Sequence, residues 1–355
     1  MGEFELIQRF FTRPTPRAVL GVGDDCALLQ PAPGMQIAIS TDMLVEGRHF
    51  FADTDPSRLG HKALAVNLSD LAACAARPLA FTLALALPTA DAGWLQAFSG
   101  GMLALADEHD CELVGGDTTQ GPLNICITVF GEVPTGQPQH AGQPATQALL
   151  RSGAQPGDDI YVSGTLGDAC LALQALQGQI QLPDAVFAAA RQRLEQPTPR
   201  VALGLALRGV ASAAADISDG LLGDLGHILQ RSAAGATIDT AIAITLLAAY
   251  AYSTRAGDRF DLMLPAELAL QCVLAGGDDY ELVFCAPPHL RAAVQAAAQA
   301  SATPVTCIGH VDAAPGLRLV DAQGRAVANT FSSFDHFNRL ANAHGPLPPD
   351  TRHTL

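Results

Sequence analysis

Carboxylates concentrate in short segments of this chain that are rich in glycine, serine and threonine. Five such segments recur, at 23–25, 40–42, 115–119, 216–220 and 276–281. Each follows an apolar run, so the pattern predicts a turn at the end of a strand in each case. A further acid, Asp70, lies one helical turn after Asn67, and these two side chains are expected to share a helix face.

Carboxylates and hydroxyls are the oxygen ligands that magnesium prefers, and magnesium commonly binds them together with substrate phosphates. Paired glycines let backbone N–H groups approach a phosphate closely. A single aspartate before glycine or threonine is often only a turn or helix-capping residue. Five recurrences indicate a site, because acids at this density repel one another unless cations lie between them. The pattern predicts phosphoryl transfer, which depends mainly on positioning and charge stabilisation.

Few basic residues accompany these acids, and this excludes several classes. The formal net charge is −15, and Lys62 is the single lysine, so a phosphate-binding loop ending in GK[ST] is absent. The acidic balance argues against a nucleic-acid surface. The GVGDD segment has only the first half of a dinucleotide-binding fingerprint. The eight cysteines form neither a CxxC pair nor a zinc-ligand spacing.

The elements that must position the acids fall into two blocks. With 355 residues and 49% hydrophobic residues, the chain predicts two or three domains with buried cores. A Gly-, Gln- and Pro-rich stretch at 134–146 is typical of a linker or exposed loop. Strands are predicted at 36–41, 81–88, 123–133, 159–164, 236–240, 280–284 and 304–309, and helices at 59–76, 91–107, 168–176 and across 184–213. Their irregular alternation favours an α+β protein.

Neither a membrane span nor a secretory leader is predicted. The apolar run at 79–87 is about half of the roughly 20 residues that a membrane helix needs. The N-terminus has early acids and no long apolar stretch. We therefore expect a cytoplasmic protein with no membrane partner and no nucleic-acid partner.

Eight segments resemble, in order, those of the thiamine-monophosphate kinase family, which belongs to the ATP-binding superfamily of aminoimidazole ribonucleotide synthetase. They are GVGDDCALL, ISTDMLVEGRHF, KALAVNLSDLAA, GGDTTQGPL, RSGAQPGDDIYVSGTLGDA, DISDGLLGDLGHI, GGDDYELVF and FDHF. The resemblance implies a two-domain α+β fold of the aminoimidazole ribonucleotide synthetase type. Residues 1–137 would form an ATP- and Mg-binding domain that makes a homodimer through its sheet. Residues 148–340 would form a C-terminal α/β sandwich domain that completes the substrate site, and 341–355 a tail.

The resemblance also implies ATP-dependent conversion of thiamine monophosphate to thiamine diphosphate with several Mg²⁺ ions. The implied metal ligands are Asp25, Ser40, Thr41, Asp42, Asp70, Asp117, Asp216 and Asp219, of which Asp42, Asp117 and Asp219 are the expected catalytic residues. The implied ATP contacts are Gly116, Asp117, Arg151 and Ser218. The implied thiamine monophosphate contacts are His49, Asp278 and Phe334. Asp278 stands where the family usually has glutamate and is one methylene shorter.

The expected mechanism is direct in-line transfer, because the acceptor phosphate, with a second pKa of about 6, needs no general base at neutral pH. The spacing leaves open the number of metal ions and the use of a monovalent cation. Two other interpretations remain: a different ATP-dependent enzyme of the superfamily, such as aminoimidazole ribonucleotide synthetase, and a non-catalytic divalent-cation-binding protein. A selenophosphate synthetase would need a reactive N-terminal cysteine, whereas Cys26 lies inside the GDDC segment.

Overall fold

A computed structural model describes residues 2–137, 145–248 and 264–333. The chain divides into two compact units. The first comprises residues up to 71 together with 76–135, and the second comprises 72–75 and the described residues after 135. In the described ranges, every helix is too short or too polar to cross a membrane.

The described part of the first unit contains a four-stranded sheet. Its strands are β1 (Met35–Val45), β2 (Arg77–Leu87), β3 (Glu112–Gln120) and β4 (Asn124–Pro134), in the order β1-β4-β2-β3. β4 pairs antiparallel with both β1 and β2, whereas β2 and β3 are parallel. A parallel pair needs a long crossover connection, and the helix between these two strands supplies it.

The helices of the first unit are α1 (Glu3–Leu6), which continues as a π-helical turn at Ile7–Phe11, α2 (Pro56–Ala73) and α3 (Ala92–Glu108). Asp91 caps α3, accepting a hydrogen bond of 2.6 Å from the Trp94 N–H. Glycines on α2 and α3 allow the backbones of these two helices to approach each other closely. A Cβ on Gly60 would lie 2.0 Å from the Phe98 carbonyl oxygen, and one on Gly101 would lie 1.9 Å from that of Ser57.

The second unit is built on a seven-stranded sheet. Its strands are β5 (Asp159–Ser163), β6 (Ala213–Ile217), β7 (Gly235–Asp239), β8 (Glu281–Ala286), β9 (Val305–Asp312), β10 (Gly316–Val320) and β11 (Ala326–Val327). The strand order is β11-β10-β7-β9-β5-β8-β6. Every residue of β5, β6 and β8 is buried, as expected for strands covered on both faces.

Seven α-helices are described in the second unit. They are α4 (Asp168–Leu176), α5 (Asp184–Glu195), α6 (Val201–Ala206), α7 (Leu221–Ser232), α8 (Thr240–Ala243), α9 (Ala266–Ala275) and α10 (Arg291–Ala300). Helices packed on a mixed sheet give an α/β sandwich, which together with the first unit confirms the predicted α+β class.

Two of the five predicted acidic turns are wrong. Residues 40–42 lie inside β1 and residues 115–119 lie inside β3. β1 pairs with β4 along all 11 of its residues, so its ladder of hydrogen bonds continues through polar positions that by residue type favour a turn. The alanine-rich helices predicted across 184–213 are two separate helices, and residue 213 already belongs to β6.

Candidate active site

Alternation along β1 places the predicted ligands of the first unit on both faces of its sheet, because successive side chains of a strand point in opposite directions. Ser40 and Asp42 share one face. The Ser40 hydroxyl donates a hydrogen bond to Asp70 Oδ2, and the Asp42 N–H donates one of 3.1 Å to Asn67 Oδ1. Asn67 and Asp70 are neighbours on one face of α2, as predicted. The structure therefore brings Ser40, Asp42 and Asp70 together.

Thr41 and Asp117 lie on the opposite face of the same sheet. The Thr41 hydroxyl is 2.8 Å from that of Thr128 on β4. Asp117 is in register, through β2 and β4, with Met43, whose side chain shares a face with Thr41. The implied metal ligands of the first unit are therefore not one preformed cluster. Among the described residues, three or more His, Cys, Asp or Glu side chains nowhere converge in an arrangement suited to a metal ion.

Asp25 and Asp117 line one cavity of the first unit, with a volume of about 570 Å³. The polar part of its wall includes residues 115–118, and an apolar part is formed by Phe4, Ile7 and Phe11. Pockets for small molecules commonly measure about 300–1,000 Å³ and combine apolar walls with a few polar groups. Both acids are exposed, so their carboxylates are accessible to a ligand that enters here.

Gly116 is required by the backbone at this wall. Its φ is 147°, and a Cβ at this position would lie 1.9 Å from the carbonyl oxygen of Leu83 on β2. Any side chain would push β3 away from β2. The glycine therefore lets β3 pair closely with β2 beside Asp117. The approach of its N–H group to a phosphate stays a prediction.

His49 follows β1 in a short turn and is half-buried. Its Nδ1 accepts a hydrogen bond of 2.9 Å from the Val45 N–H, so the proton of the neutral ring lies on Nε2. The buried Lys62 has its Nζ 3.5 Å from the His49 carbonyl oxygen. The backbone hydrogen bond thus fixes the orientation of the imidazole ring.

In the second unit, a single carboxylate organises the segment 216–220. Asp224, on α7, accepts hydrogen bonds at one oxygen from the N–H groups of Ser218, Asp219 and Gly220, at 3.0, 3.1 and 3.2 Å. Burial and the charge of Asp219 raise the pKa of Asp224 to about 7, against the opposing effect of these amide donors. Asp216, at the end of β6, is buried, whereas Ser218 and Asp219 are half-buried.

The second acidic turn, at 276–280, is hydrogen-bonded to the first. The Asp278 N–H donates to the Ser218 carbonyl and the Tyr280 N–H to the Ile217 carbonyl, both at 2.9 Å. Both donor residues are in the left-handed region, with φ of 64° for Asp278 and 52° for Tyr280. Residues other than glycine rarely adopt this backbone conformation, and a bulky residue that does so is an outlier.

The acids that follow Asp278 are internal. Asp279 is 1% exposed and accepts hydrogen bonds of 3.0 and 3.1 Å from the Gly167 N–H. Burial raises the pKa of Asp279 well above its ordinary value, although this amide and the charge of Arg193 oppose the shift. Asp279 therefore ties the turn to the start of α4, and its carboxylate is not accessible to a substrate.

Glu281 is completely buried between two arginines. Arg200 contacts both of its oxygens at 2.6 and 2.5 Å, and Arg193 contacts one at 2.7 Å. The Ser163 hydroxyl donates a further bond of 2.6 Å. Burial opposes the charge on Arg200, but the hydrogen bond and charge of Glu281 raise the pKa of this guanidinium, which stays protonated. The cluster joins α5, β5 and β8 directly behind the acidic turn.

Two other predicted residues remain. Arg151 is exposed just before β5, and its carbonyl oxygen accepts a hydrogen bond of 3.2 Å from the Ser232 hydroxyl. Phe334 lies outside the described residues. The sequence interpretation missed Asp224, Arg193, Arg200 and the buried role of Glu281. An acid at the head of the otherwise apolar segment ELVFCA was the signal available for Glu281.

Comparisons with known proteins agree with this architecture. The family model for the N-terminal domain of AIR synthase related proteins matches residues 23–133, and that for the C-terminal domain matches 155–322. The thiamine-monophosphate kinase of Salmonella typhimurium is 44% identical over 341 residues, covering 95% of this chain and 98% of that protein. The predicted aminoimidazole ribonucleotide synthetase-like fold is confirmed.

Solved structures give the same result. The crystal structure of thiamine-monophosphate kinase from Stenotrophomonas maltophilia matches with a TM-score of 0.75 at 43% identity, covering 91% of this chain and 96% of that one. The structure of AaThiL complexed with AMPPCP and TMP has a TM-score of 0.69 at 27% identity, covering 87% and 89%. This chain therefore belongs to the thiamine-monophosphate kinase family of the AIR synthase related proteins.

Proposed function

We propose that this protein transfers the γ-phosphoryl group of ATP directly to the phosphate of thiamine monophosphate, giving thiamine diphosphate and ADP. The observation that carries the proposal is the cavity that Asp25, Gly116 and Asp117 line together, in a chain 44% identical to a thiamine-monophosphate kinase. A related protein, AaThiL, has been solved in complex with AMPPCP and TMP, and this supports the choice of ATP and thiamine monophosphate as substrates. We place the reaction in the cytoplasm.

The first unit is proposed to hold the triphosphate. Gly116 allows backbone N–H groups close to a phosphate, and the apolar wall of the cavity suits the nucleoside. We assign His49 to the phosphate of thiamine monophosphate, with its ring oriented by the hydrogen bond that Nδ1 accepts from the Val45 N–H. In the second unit we assign Arg151 and Ser218 to ATP, and Asp278 to thiamine monophosphate.

The oxygen donors fit magnesium, which binds through one or two carboxylates, substrate phosphates and water rather than within an all-protein cage. Several magnesium ions would be shared among Asp25, Ser40, Thr41, Asp42, Asp70, Asp117, Asp216 and Asp219. When bound, magnesium supplies positive charge that reduces the repulsion between the two phosphates. The protein's own contribution is to orient the donor and acceptor phosphates for in-line attack. The carboxylates of Asp42, Asp117 and Asp219 are the proposed catalytic groups.

We also propose that two copies associate through the sheet of the first unit. Ile37, Ile39 and Met43 are 37%, 62% and 53% exposed on one face of β1, the strand at one edge of that sheet. Three apolar side chains on one strand face are typical of a protein interface. Light scattering should give twice the 36.8 kDa chain mass, and Ile39→Arg should give the single-chain mass. A monomeric wild type would contradict this part of the proposal.

The reaction is tested with ATP labelled at its γ-phosphate, thiamine monophosphate and Mg²⁺, with acid quenching at short times. We expect label in thiamine diphosphate and none on the protein. Labelled protein that decays as labelled product forms would contradict direct transfer. Metal binding without any turnover would instead favour a divalent-cation-binding protein. EDTA should stop turnover, and excess Mg²⁺ should restore it.

A further inference from the structure

The segment 278–280 holds two non-glycine residues in the left-handed region within three positions, Asp278 at φ 64° and Tyr280 at φ 52°. In this conformation the Cβ lies too close to the following carbonyl oxygen, so it is unfavourable for residues other than glycine. Strained backbone of this kind persists only where surrounding contacts enforce it, and it clusters at functional sites.

Surrounding contacts enforce the conformation from three directions. The N–H groups of Asp278 and Tyr280 are bound by carbonyls at the end of β6 and just beyond it. Asp279, between them, is fixed by the Gly167 N–H. Arg193 donates a hydrogen bond of 3.2 Å to the Asp279 carbonyl oxygen and also binds Glu281. The protein's own contacts therefore fix the backbone of the turn without a bound substrate.

This backbone brings the Tyr280 side chain back over the turn. The ring is 9% exposed, and its hydroxyl donates a hydrogen bond of 3.1 Å to Asp278 Oδ1. The hydrogen bond from the Tyr280 hydroxyl limits the rotation of the Asp278 carboxylate, which is only half-buried. In this conformation Asp278 presents its carboxylate in one orientation.

We infer that Tyr280 is a positioning residue for thiamine monophosphate, in which the left-handed turn aims the tyrosine hydroxyl at Asp278 and thereby orients the carboxylate that contacts this substrate. The inference rests on the proposed function, because it assumes that Asp278 meets thiamine monophosphate. Thiamine carries a cationic ring, and a carboxylate held in a fixed orientation attracts such a cation more effectively than one that rotates. Tyr280 touches Asp278 and acts through it.

The chain offers a matched control pair. Tyr161 donates a hydrogen bond of 3.2 Å to Asp159 Oδ2, with the same spacing of two residues, but within strand β5 rather than in a left-handed turn. Asp159 also accepts two hydrogen bonds, of 2.6 and 2.7 Å, from Arg291. Tyr161→Phe therefore removes a similar hydrogen bond in the same unit, at a carboxylate that already has a cationic partner.

The test measures kcat and the two KM values for wild type, Tyr280→Phe, Tyr161→Phe, Asp278→Ala and the double variant Asp278→Ala/Tyr280→Phe. Tyr280→Phe should raise KM for thiamine monophosphate about three- to tenfold, as expected for one hydrogen bond, with kcat and KM for ATP close to wild type. Tyr161→Phe should leave all three constants unchanged. In the Asp278→Ala background, Tyr280→Phe should have no further effect.

The result that overturns the inference is an unchanged KM for thiamine monophosphate in Tyr280→Phe, an equal rise in both KM values, or the same effect of Tyr280→Phe with and without Asp278. An inactive wild type would overturn the proposed function and the inference with it. The increase in melting temperature caused by thiamine monophosphate, measured on each variant, gives a second readout that does not require turnover. It should be smaller in Tyr280→Phe than in Tyr161→Phe, and equal increases would also overturn the inference.

Discussion

The acids in the cavity wall of the first unit and the buried acids around the two turns of the second are held in opposite ways. Asp25 and Asp117 are exposed side chains in the wall of a cavity, one in a loop and one in a long strand. Asp224, Asp279 and Glu281 are buried, and backbone amides or arginines bind each of them. Acids with similar local sequence therefore have different roles. The carboxylates of Asp25 and Asp117 are accessible to a ligand. The buried carboxylates fix the backbone that carries the half-buried Asp219 and Asp278.

The largest effect is expected at the buried ion cluster. Glu281→Ala leaves Arg193 and Arg200 without their shared carboxylate, so the free energy of unfolding should fall by about 3–5 kcal/mol. Urea unfolding measures this change, and Arg325→Ala, which removes an exposed arginine paired with Asp321, should change it little. An unfolding free energy unaffected by Glu281→Ala would break the contrast between the two regions.

Asp117→Asn tests the other side of the comparison. It should lower kcat by about 10²–10³-fold, because a proposed ligand of the magnesium that offsets the charge of the reacting phosphates is lost. The melting temperature should stay close to wild type, since the side chain is exposed. Asp53→Asn, another exposed acid of the first unit, should keep normal turnover. A normal rate for Asp117→Asn would contradict its catalytic role.

Asp224→Ala should affect both stability and turnover. Three N–H groups lose their acceptor, so the free energy of unfolding should fall by about 1–3 kcal/mol, and kcat should fall as the segment 216–220 loosens. Asp239→Ala removes a cap that also accepts backbone hydrogen bonds, from the Ala241 and Ile242 N–H groups, at the start of α8. It should reduce stability while turnover per folded molecule stays normal. Equal turnover in the two variants would separate Asp224 from the site.

The smallest effect is a pH dependence at Asp159. Hydrogen bonds and charge from Arg291 lower the pKa of Asp159 below its ordinary 3.8, against the effect of burial. The pair therefore stabilises the fold above pH 3.8, and this contribution is lost as the pH falls through the lowered pKa. Arg291→Gln should lower the urea midpoint near pH 7, and its difference from wild type should shrink in acid. A difference independent of pH would exclude this ion pair as its cause.

The sequence predicts much of the fold because its signals are local. The strands predicted at 36–41 and 123–133 correspond to β1 and β4, and the helix predicted at 91–107 corresponds to α3. The segments 40–42 and 115–119 were assigned to turns from their residue types. They are strands because pairing with a distant strand overrides that local preference. The contacts of Glu281 with Arg193 and Arg200 join residues 88 and 81 positions apart, which no local pattern reveals. The identities of the predicted site acids followed from motifs, but the division of β1 and β3 ligands between two sheet faces required strand register.

The most direct test of the central claim is the turnover of wild-type protein with ATP and Mg²⁺ on three acceptors: thiamine, thiamine monophosphate and formylglycinamidine ribonucleotide. We expect product from thiamine monophosphate alone, detected as thiamine diphosphate together with an equal amount of ADP. Turnover of the ribonucleotide, or of none of the three, would contradict the proposed function while leaving the family and the fold unchanged.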